Sequence, residues 1–186
     1  MTRMNQELTI QMRNIGWLAF VCTTDMSNGG MMAHRLGIGL SNRFAAIAPV
    51  VATLFGDEPR PQHPVSALML NGMLDKHVPE QGGPPGGRFQ GAWDGTLMKP
   101  VQEQSAFRAH ADGCRSAADQ DDRGAFTFIV MQYRCPAGRA VESYWIKDGD
   151  HAWPGGQRAS PMGDEPSSAI NATELIWAFF KAHAKP

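Results

Sequence analysis

The stretch WLAFVCTTDMSNGG (residues 17–30) joins an unbroken apolar run to a serine that is followed by two glycines. Residues 17–23 form the apolar run, which is typical of a strand that is covered on both faces. Residues 28–40 carry apolar side chains at helical intervals, which predicts a helix. The stretch therefore predicts a strand, a tight turn and a helix, with Ser27 at the turn.

The rest of the chain continues this alternation of apolar runs and helical patterns between glycine- and proline-bearing loops. The further predicted strands are residues 44–51, 65–70, 126–133 and 140–146, and the further predicted helices are residues 101–111 and 167–184. The last two strands flank Pro136-Ala137-Gly138 and are predicted to form a hairpin. This order predicts an α/β fold with a mostly parallel sheet of four or five strands.

The composition is that of an ordinary globular protein. The chain has 186 residues, 42% of them hydrophobic and 19% charged, and we expect residues 1–186 to form one domain. The net charge of −1 gives no long-range field to attract nucleic acid or anionic lipid. The apolar run at residues 17–22 is too short to cross a bilayer. These features argue against nucleic-acid and membrane partners, and the polar residues 1–14 do not resemble a secretory signal.

Ser27 lies where the first strand gives way to the first helix. A serine on such a tight turn projects its hydroxyl above the sheet, and Gly29 and Gly30 keep the crowded downstream side small. The backbone N–H of Asn28 would open the helix and point at a developing oxyanion. The alternative is that this segment is simply a helix N-cap and turn.

A serine hydroxyl becomes a strong nucleophile only with a base and an orienting acid nearby. Open α/β sheets bind ligands beyond the carboxyl ends of their strands. Asp75 follows the strand at residues 65–70, and His151 follows the strand at residues 140–146. The order serine, aspartate, histidine is the one that α/β-hydrolases use, so we predict a triad of Ser27, Asp75 and His151.

Other acids and histidines fit these positions less well. Asp148 and Asp150 are too close to His151 in sequence to face it readily, and Asp57 and Asp94 lack a strong preceding strand. We expect His34 and His110, inside predicted helices, to be surface or packing residues. Three further histidines follow no predicted strand end: His63, His77 and His183.

The three cysteines, Cys22, Cys114 and Cys135, show no C-x-x-C spacing, which argues against a zinc or redox motif. Cys114 and Cys135 are 21 residues apart and flank a polar stretch. They could form a disulfide or remain two unpaired thiols in a reducing compartment. We expect Cys22, on the first predicted strand, to be buried and free.

Several segments together resemble the polyhydroxybutyrate depolymerase and feruloyl esterase group of α/β-hydrolases. They are TDMSNGGMMAHRL (24–36), RFAAIAPV (43–50), NGMLDKHVPEQGG (71–83), DGDHAWPGG (148–156) and IWAFFKAH (176–183). The resemblance implies hydrolysis of carboxylic esters without a metal or a cofactor, with Ser27 as nucleophile, Asp75 as orienting acid and His151 as general base. It also implies a bridge between Cys114 and Cys135 and a secreted or periplasmic location. Trp153, in the same segment as His151, is a weaker candidate for substrate binding.

The chain departs from the family pattern at two points. Asp25 stands where the family has glycine, and the predicted strand at residues 17–23 has no family-like strands before it. We therefore expect an α/β-hydrolase fold that lacks its N-terminal strands. The strand at residues 17–23 would then be an exposed edge through which a homodimer could form.

Two functional hypotheses remain from the sequence. The first is a serine esterase acting on polyhydroxyalkanoate-type polyester or on feruloyl or acetyl esters of plant polysaccharide. The second is a catalytically impaired remnant that keeps the fold without turnover. A carbohydrate-binding module is disfavoured, because Trp93, Trp145 and Trp153 form no recognisable stacking row.

Overall fold

A computed structural model of the protein describes residues 21–87, 91, 94–122, 128–158 and 160–183. The strands are β1 (Val21–Met26), β2 (Phe44–Val50), β3 (Ser66–Gly72), β4 (Arg115–Asp122), β5 (Phe128–Arg134) and β6 (Val141–Ile146). The helices are α1 (Asn28–Gly39), α2 (Val101–Ala111) and α3 (Ala172–His183).

The described strands form one six-stranded sheet in the order β1-β2-β3-β6-β5-β4. β1, β2, β3 and β6 are parallel, whereas β5 pairs antiparallel with both β6 and β4. The predicted α/β class with a mostly parallel sheet is confirmed, and so is the antiparallel pairing of β5 with β6.

The core lies on both faces of β2 and β3, which are buried at every position. On one face, Ala48, Leu68 and Leu70 pack against Ile176 and Phe179 of α3. The other face is covered by α1 and α2, in a second apolar cluster that includes Ile47, Val65, Met69, Ala109 and Leu36. Helices on both faces explain why these strands lack the alternation of a half-exposed strand.

Three sequence expectations about elements are wrong in detail. The described part of the chain forms six strands rather than four or five, because the polar segment RSAADQDD pairs with β5 as β4 without any apolar pattern. β1 is not fully covered on its faces, because none of its residues from Val21 to Met26 is buried and Val21 is 51% exposed. The last helix starts at Ala172 rather than at residue 167. Asn171, just before this start, accepts a hydrogen bond at its Oδ1 from the N–H of Glu174. Residues 17–20 and 126–127 lie outside the described residues.

The cysteines divide as the family resemblance implies. Cys114 and Cys135 form a disulfide that ties the end of α2 to the end of β5. Cys22 is unbridged, but it is half-buried rather than buried, because β1 lies at the sheet edge. That partial burial raises the pKa of the Cys22 thiol above its ordinary value, against a smaller opposing effect of the Ala46 backbone.

No helix within the described residues is both long and apolar enough to span a membrane.

Candidate active site

Ser27 occupies the turn between β1 and α1 in a conformation unusual for a residue other than glycine, with φ 56° and ψ −128°. Its N–H donates to the carbonyl oxygen of Val50 at 2.9 Å, which fixes the turn on β2. Although Ser27 precedes α1, its hydroxyl makes no capping hydrogen bond to the described helix. Ser27 is thus the N-cap residue of α1 by position but does not cap it with its side chain, and the strained turn points the hydroxyl elsewhere.

The Ser27 hydroxyl faces His151, which in turn faces Asp75. Ser27 Oγ lies 2.9 Å from Nε2 of His151, and Nδ1 of His151 lies 2.8 Å from Oδ2 of Asp75. The Asp75 side chain is 1% exposed and that of His151 12%. A carboxylate accepts hydrogen bonds, so Nδ1–H donates to Asp75 and Nε2 is left to accept the hydroxyl proton.

Asp75 is held by the backbone of its own loop. Its Oδ1 accepts hydrogen bonds from the N–H groups of His77 at 2.7 Å and Val78 at 2.9 Å. These two donors occupy one carboxylate oxygen and leave Oδ2 directed at His151. The carboxylate is thereby oriented and its charge compensated, although it is almost fully buried.

Two glycines allow the loops that carry Asp75 and His151 to touch. A Cβ atom at Gly72, the last residue of β3, would overlap the carbonyl oxygen of Gly149, in the loop after β6. The N–H of Leu74 donates to the carbonyl oxygen of Gly149 at 2.9 Å, which joins the loops directly. The parallel pairing of β3 with β6 thus brings the acid and the base together at the carboxyl ends of these strands.

A cavity of about 210 Å³ opens beside these side chains. It is lined by Ser27, Asn28, Met31, His77, Val78, Pro85, Met98 and His151. Asn28 is the first residue of α1, and the N–H groups of the first helical turn have no partner inside the helix. The N–H groups at this helix end can therefore stabilise negative charge next to the Ser27 hydroxyl.

Trp153 lies apart from this cavity. Its indole Nε1 donates to Oγ1 of Thr173 at 3.0 Å, and its ring packs against the apolar cluster between the sheet and α3. The structure thus brings together four of the residues predicted for the site, Ser27, Asp75, His151 and Asn28, and leaves Trp153 as a packing residue.

The rival acids of the sequence analysis have other partners. Asp148 accepts a hydrogen bond from Oγ of Ser167 at 2.7 Å, and Asp150 accepts one from the N–H of His151 at 2.8 Å. Asp57 pairs with Arg35, and Asp94 accepts the N–H of Thr96. None of these carboxylates faces the imidazole ring of His151 in the described residues.

His77 is the site residue that the sequence analysis missed. Its ring lies 4.7 Å from that of His151, measured between centroids, and it lines the cavity. A sequence signal was available in its position two residues after Asp75, since a loop that wraps a carboxylate with its own N–H groups keeps the next side chains nearby.

Within the described residues, no cluster of three or more histidine, cysteine, aspartate or glutamate side chains is arranged to hold a metal ion. No protein-family model matches the chain, and a search of curated proteins finds no match either.

Proposed function

We propose that this protein is a serine esterase of α/β-hydrolase fold that cleaves carboxylic esters with Ser27, His151 and Asp75. The observation that carries the proposal is the unbroken hydrogen-bonded chain from Ser27 through His151 to Asp75, with bonds of 2.9 and 2.8 Å. The strained turn at Ser27 and the order of the three residues along the chain add support.

In the proposed reaction, Oγ of Ser27 attacks the carbonyl carbon of the ester while Nε2 of His151 takes the hydroxyl proton. Asp75 stabilises the imidazolium that forms, and the N–H of Asn28 binds the oxygen on which negative charge develops. His151 then gives its proton to the departing alcohol, and an acyl group remains on Ser27. Water, activated by His151, attacks this acyl-enzyme and releases the carboxylic acid.

The cavity supports an ester as the substrate. Its walls include four apolar side chains, those of Met31, Val78, Pro85 and Met98, next to the polar groups of the proposed triad. A volume of about 210 Å³ is below the 300–1,000 Å³ typical of sites that enclose a whole drug-sized ligand. The cavity therefore suits one acyl or aryl unit of a larger substrate, such as a polyester or a plant-polysaccharide ester.

A second candidate is a catalytically impaired form of the same esterase. Asp25 favours it, because its side chain lies so close to α1 that a Cβ atom at Gly29 would overlap it. A carboxylate at this turn brings negative charge towards the position of the oxyanion, and such charge opposes the transition state.

A serine-directed fluorophosphonate and a short-chain chromogenic ester test the proposal together. The wild-type protein should hydrolyse the ester and carry the label on Ser27, whereas Ser27→Ala should do neither while keeping the wild-type circular dichroism spectrum. Label on Ser27 without turnover would favour the impaired form. A wild-type protein that takes up no label would contradict the proposal.

A further inference from the structure

His77 contacts both the acid and the base of the proposed triad. Its backbone N–H donates to Oδ1 of Asp75 at 2.7 Å. Its ring packs against that of His151, with 4.7 Å between centroids and 43° between planes. The side chain also lines the cavity beside Ser27. His77 thus contacts the acid, the base and the cavity beside Ser27.

The glycine-rich segment GGPPGG (residues 82–87, here the glycine-rich loop) forms the wall behind His77. Gly87 has φ +67°, and a Cβ atom there would lie 2.5 Å from Cε1 and 2.8 Å from Nδ1 of the His77 ring. The N–H of Gly86 donates to the carbonyl oxygen of Lys76 at 2.7 Å. The loop therefore approaches His77 so closely that a side chain at position 87 would push the His77 ring out of its place.

The glycine-rich loop is itself anchored. Gly83 and Met98 exchange two backbone hydrogen bonds of 2.8 Å, and the N–H of Gly82 donates to the carbonyl oxygen of Pro79 at 2.8 Å. Pro85, in the middle of the loop, is buried and lines the cavity. A loop fixed in this way can hold the His77 ring in place.

Asp164 completes the surroundings of the His77 ring. Its Oδ2 lies 3.7 Å from Nε2 of His77, whose side chain is 12% exposed. The ring is therefore bounded by the glycine-rich loop, by Asp164 and by His151. Away from the side that faces the cavity, the ring can shift only by displacing one of these neighbours.

We propose that His77, held by the glycine-rich loop and Asp164, is a positioning residue that keeps the His151 ring aligned between Ser27 and Asp75. This inference rests on the proposed esterase function. The bond to Asp75 fixes one edge of the His151 ring, and contact with His77 restricts the tilt of its plane. Such support matters because a misplacement of about 1 Å in a catalytic group can cost about 10²-fold in rate.

Gly87→Ala tests the inference, with Gly83→Ala as its matched control. Both glycines lie in the same loop at positive φ, +67° and +95°, so alanine strains the backbone at each. Among the described residues, however, a Cβ atom at Gly83 meets nothing within 4 Å. We expect Gly87→Ala to lower kcat about 10- to 100-fold relative to Gly83→Ala, with a smaller effect on KM.

The effect of Gly87→Ala should depend on His77. In a His77→Ala background the added methyl group has room, so Gly87→Ala should then reduce kcat no further than Gly83→Ala does. Losses that are additive between Gly87→Ala and His77→Ala would overturn the inference, because the loop would then act without His77.

A second readout needs no turnover. In protein labelled with ¹⁵N-histidine, the Nδ1 proton of His151, bonded to Asp75, should give a protected NMR signal without substrate. The signal should persist in Gly83→Ala and be lost to exchange with water in Gly87→Ala and in His77→Ala. An unchanged signal in His77→Ala overturns the inference even if Gly87→Ala does not fold. Absence of esterase activity would leave this measurement intact.

Discussion

Arg108 donates hydrogen bonds to Nδ1 of His34 from Nε at 3.2 Å and from Nη2 at 3.0 Å, in a fully buried contact between α2 and α1. Arginine nitrogens only donate, so Nδ1 must accept, and the proton of the neutral ring lies on Nε2. Nε2–H then donates to Oε1 of Gln104 at 2.9 Å, and Nε2 of Gln104 donates to Oδ1 of Asn71 at 2.7 Å. This chain of donors fixes His34 in its neutral form.

The neutral state of His34 predicts a loss of stability in acid. Burial, and to a lesser degree the charge of Arg108, lower the pKa of His34 to about 3 from an ordinary 6.5. Between these values the unfolded chain binds a proton that the folded protein excludes. The contribution of neutral His34 to the free energy of unfolding is therefore complete above about pH 6.5. It is lost as the pH falls towards 3, by up to about 1.4 kcal/mol per pH unit.

Urea unfolding of the wild type and of His34→Gln across this pH range measures the contribution. The variant should be less stable near pH 7, because the contacts with Arg108 change, but its free energy of unfolding should fall less steeply with decreasing pH. If the free energies of unfolding of the wild type and of His34→Gln fall equally from pH 6.5 to pH 4, His34 is not the titrating group.

Asp75→Asn should cost about 10⁴-fold in kcat if the esterase proposal is right. An amide has only one oxygen to accept bonds, and both the N–H groups of the 77–78 segment and Nδ1–H of His151 require an acceptor here. Asp148→Asn is the matched control, since Asp148 lies near His151 in sequence but is bonded to Ser167. Steady-state hydrolysis of a chromogenic ester should show a large loss for the first variant alone, and equal losses would remove Asp75 from the mechanism.

Asp25 and Gly29 should be energetically coupled. In the wild type, Gly29→Ala places a methyl group against the Asp25 carboxyl and should destabilise the fold by about 1–3 kcal/mol. In an Asp25→Gly background the same change should become neutral or stabilising, because alanine favours a helix over glycine by about 1 kcal/mol. Urea unfolding of the four proteins measures this double-mutant cycle, and a cost that is the same in both backgrounds would contradict the coupling.

The disulfide should contribute about 3 kcal/mol to stability, because it closes a loop with a sequence separation of 21 residues. Replacing Cys114 and Cys135 together with alanine should lower the urea midpoint accordingly, and Cys22→Ala serves as the control. Equal midpoints for the wild type and the double variant would show that the bridge does not stabilise the fold.

Among the described strands β1 lies at the edge of the sheet, which predicts self-association, since an exposed edge can pair with a second copy through its backbone groups. Asp25 opposes this pairing, because its Oδ1 already accepts the N–H of Met26 at 2.7 Å and its charge lies on the edge. Asp25→Gly should therefore strengthen association in size-exclusion chromatography with light scattering. A wild type and a variant that both remain monomeric at high micromolar concentration would contradict this prediction.

Much of the fold could be predicted because the central strands of the sheet can be recognised from their apolar sequence. β2 and β3 are buried on both faces; β2 is continuously apolar in sequence, and β3 is apolar from Ala67 to Leu70. β4 could not be found in this way, since its polar segment is recruited by backbone pairing with β5 and carries no apolar pattern. The exposure of β1 depends on what lies beside it in the sheet, which local sequence does not specify.

In the candidate site, too, residues with a local sequence pattern could be predicted, whereas those that depend on other parts of the fold could not. Ser27, Asp75 and His151 could be predicted because each follows the carboxyl end of a strand, and these strands are parallel in the sheet. His77 was missed although it lies two residues after Asp75, because its packing against His151 depends on the glycine-rich loop, which the sequence around Asp75 does not show. His34 was expected to be a surface or packing residue; it is buried, and its side-chain partners Gln104 and Arg108 both come from α2, which the sequence of its own helix does not show.

The partial burial of Cys22 bears on how the protein matures under oxidising conditions. Three thiols allow three different pairings, and only one of them gives the bridge between Cys114 and Cys135. Thiol–disulfide exchange proceeds through the thiolate, and the raised pKa of Cys22 makes its thiolate scarce once β1 has joined the sheet. Docking of the edge strand therefore makes the Cys22 thiol a weaker competitor in exchange with the bridge between Cys114 and Cys135.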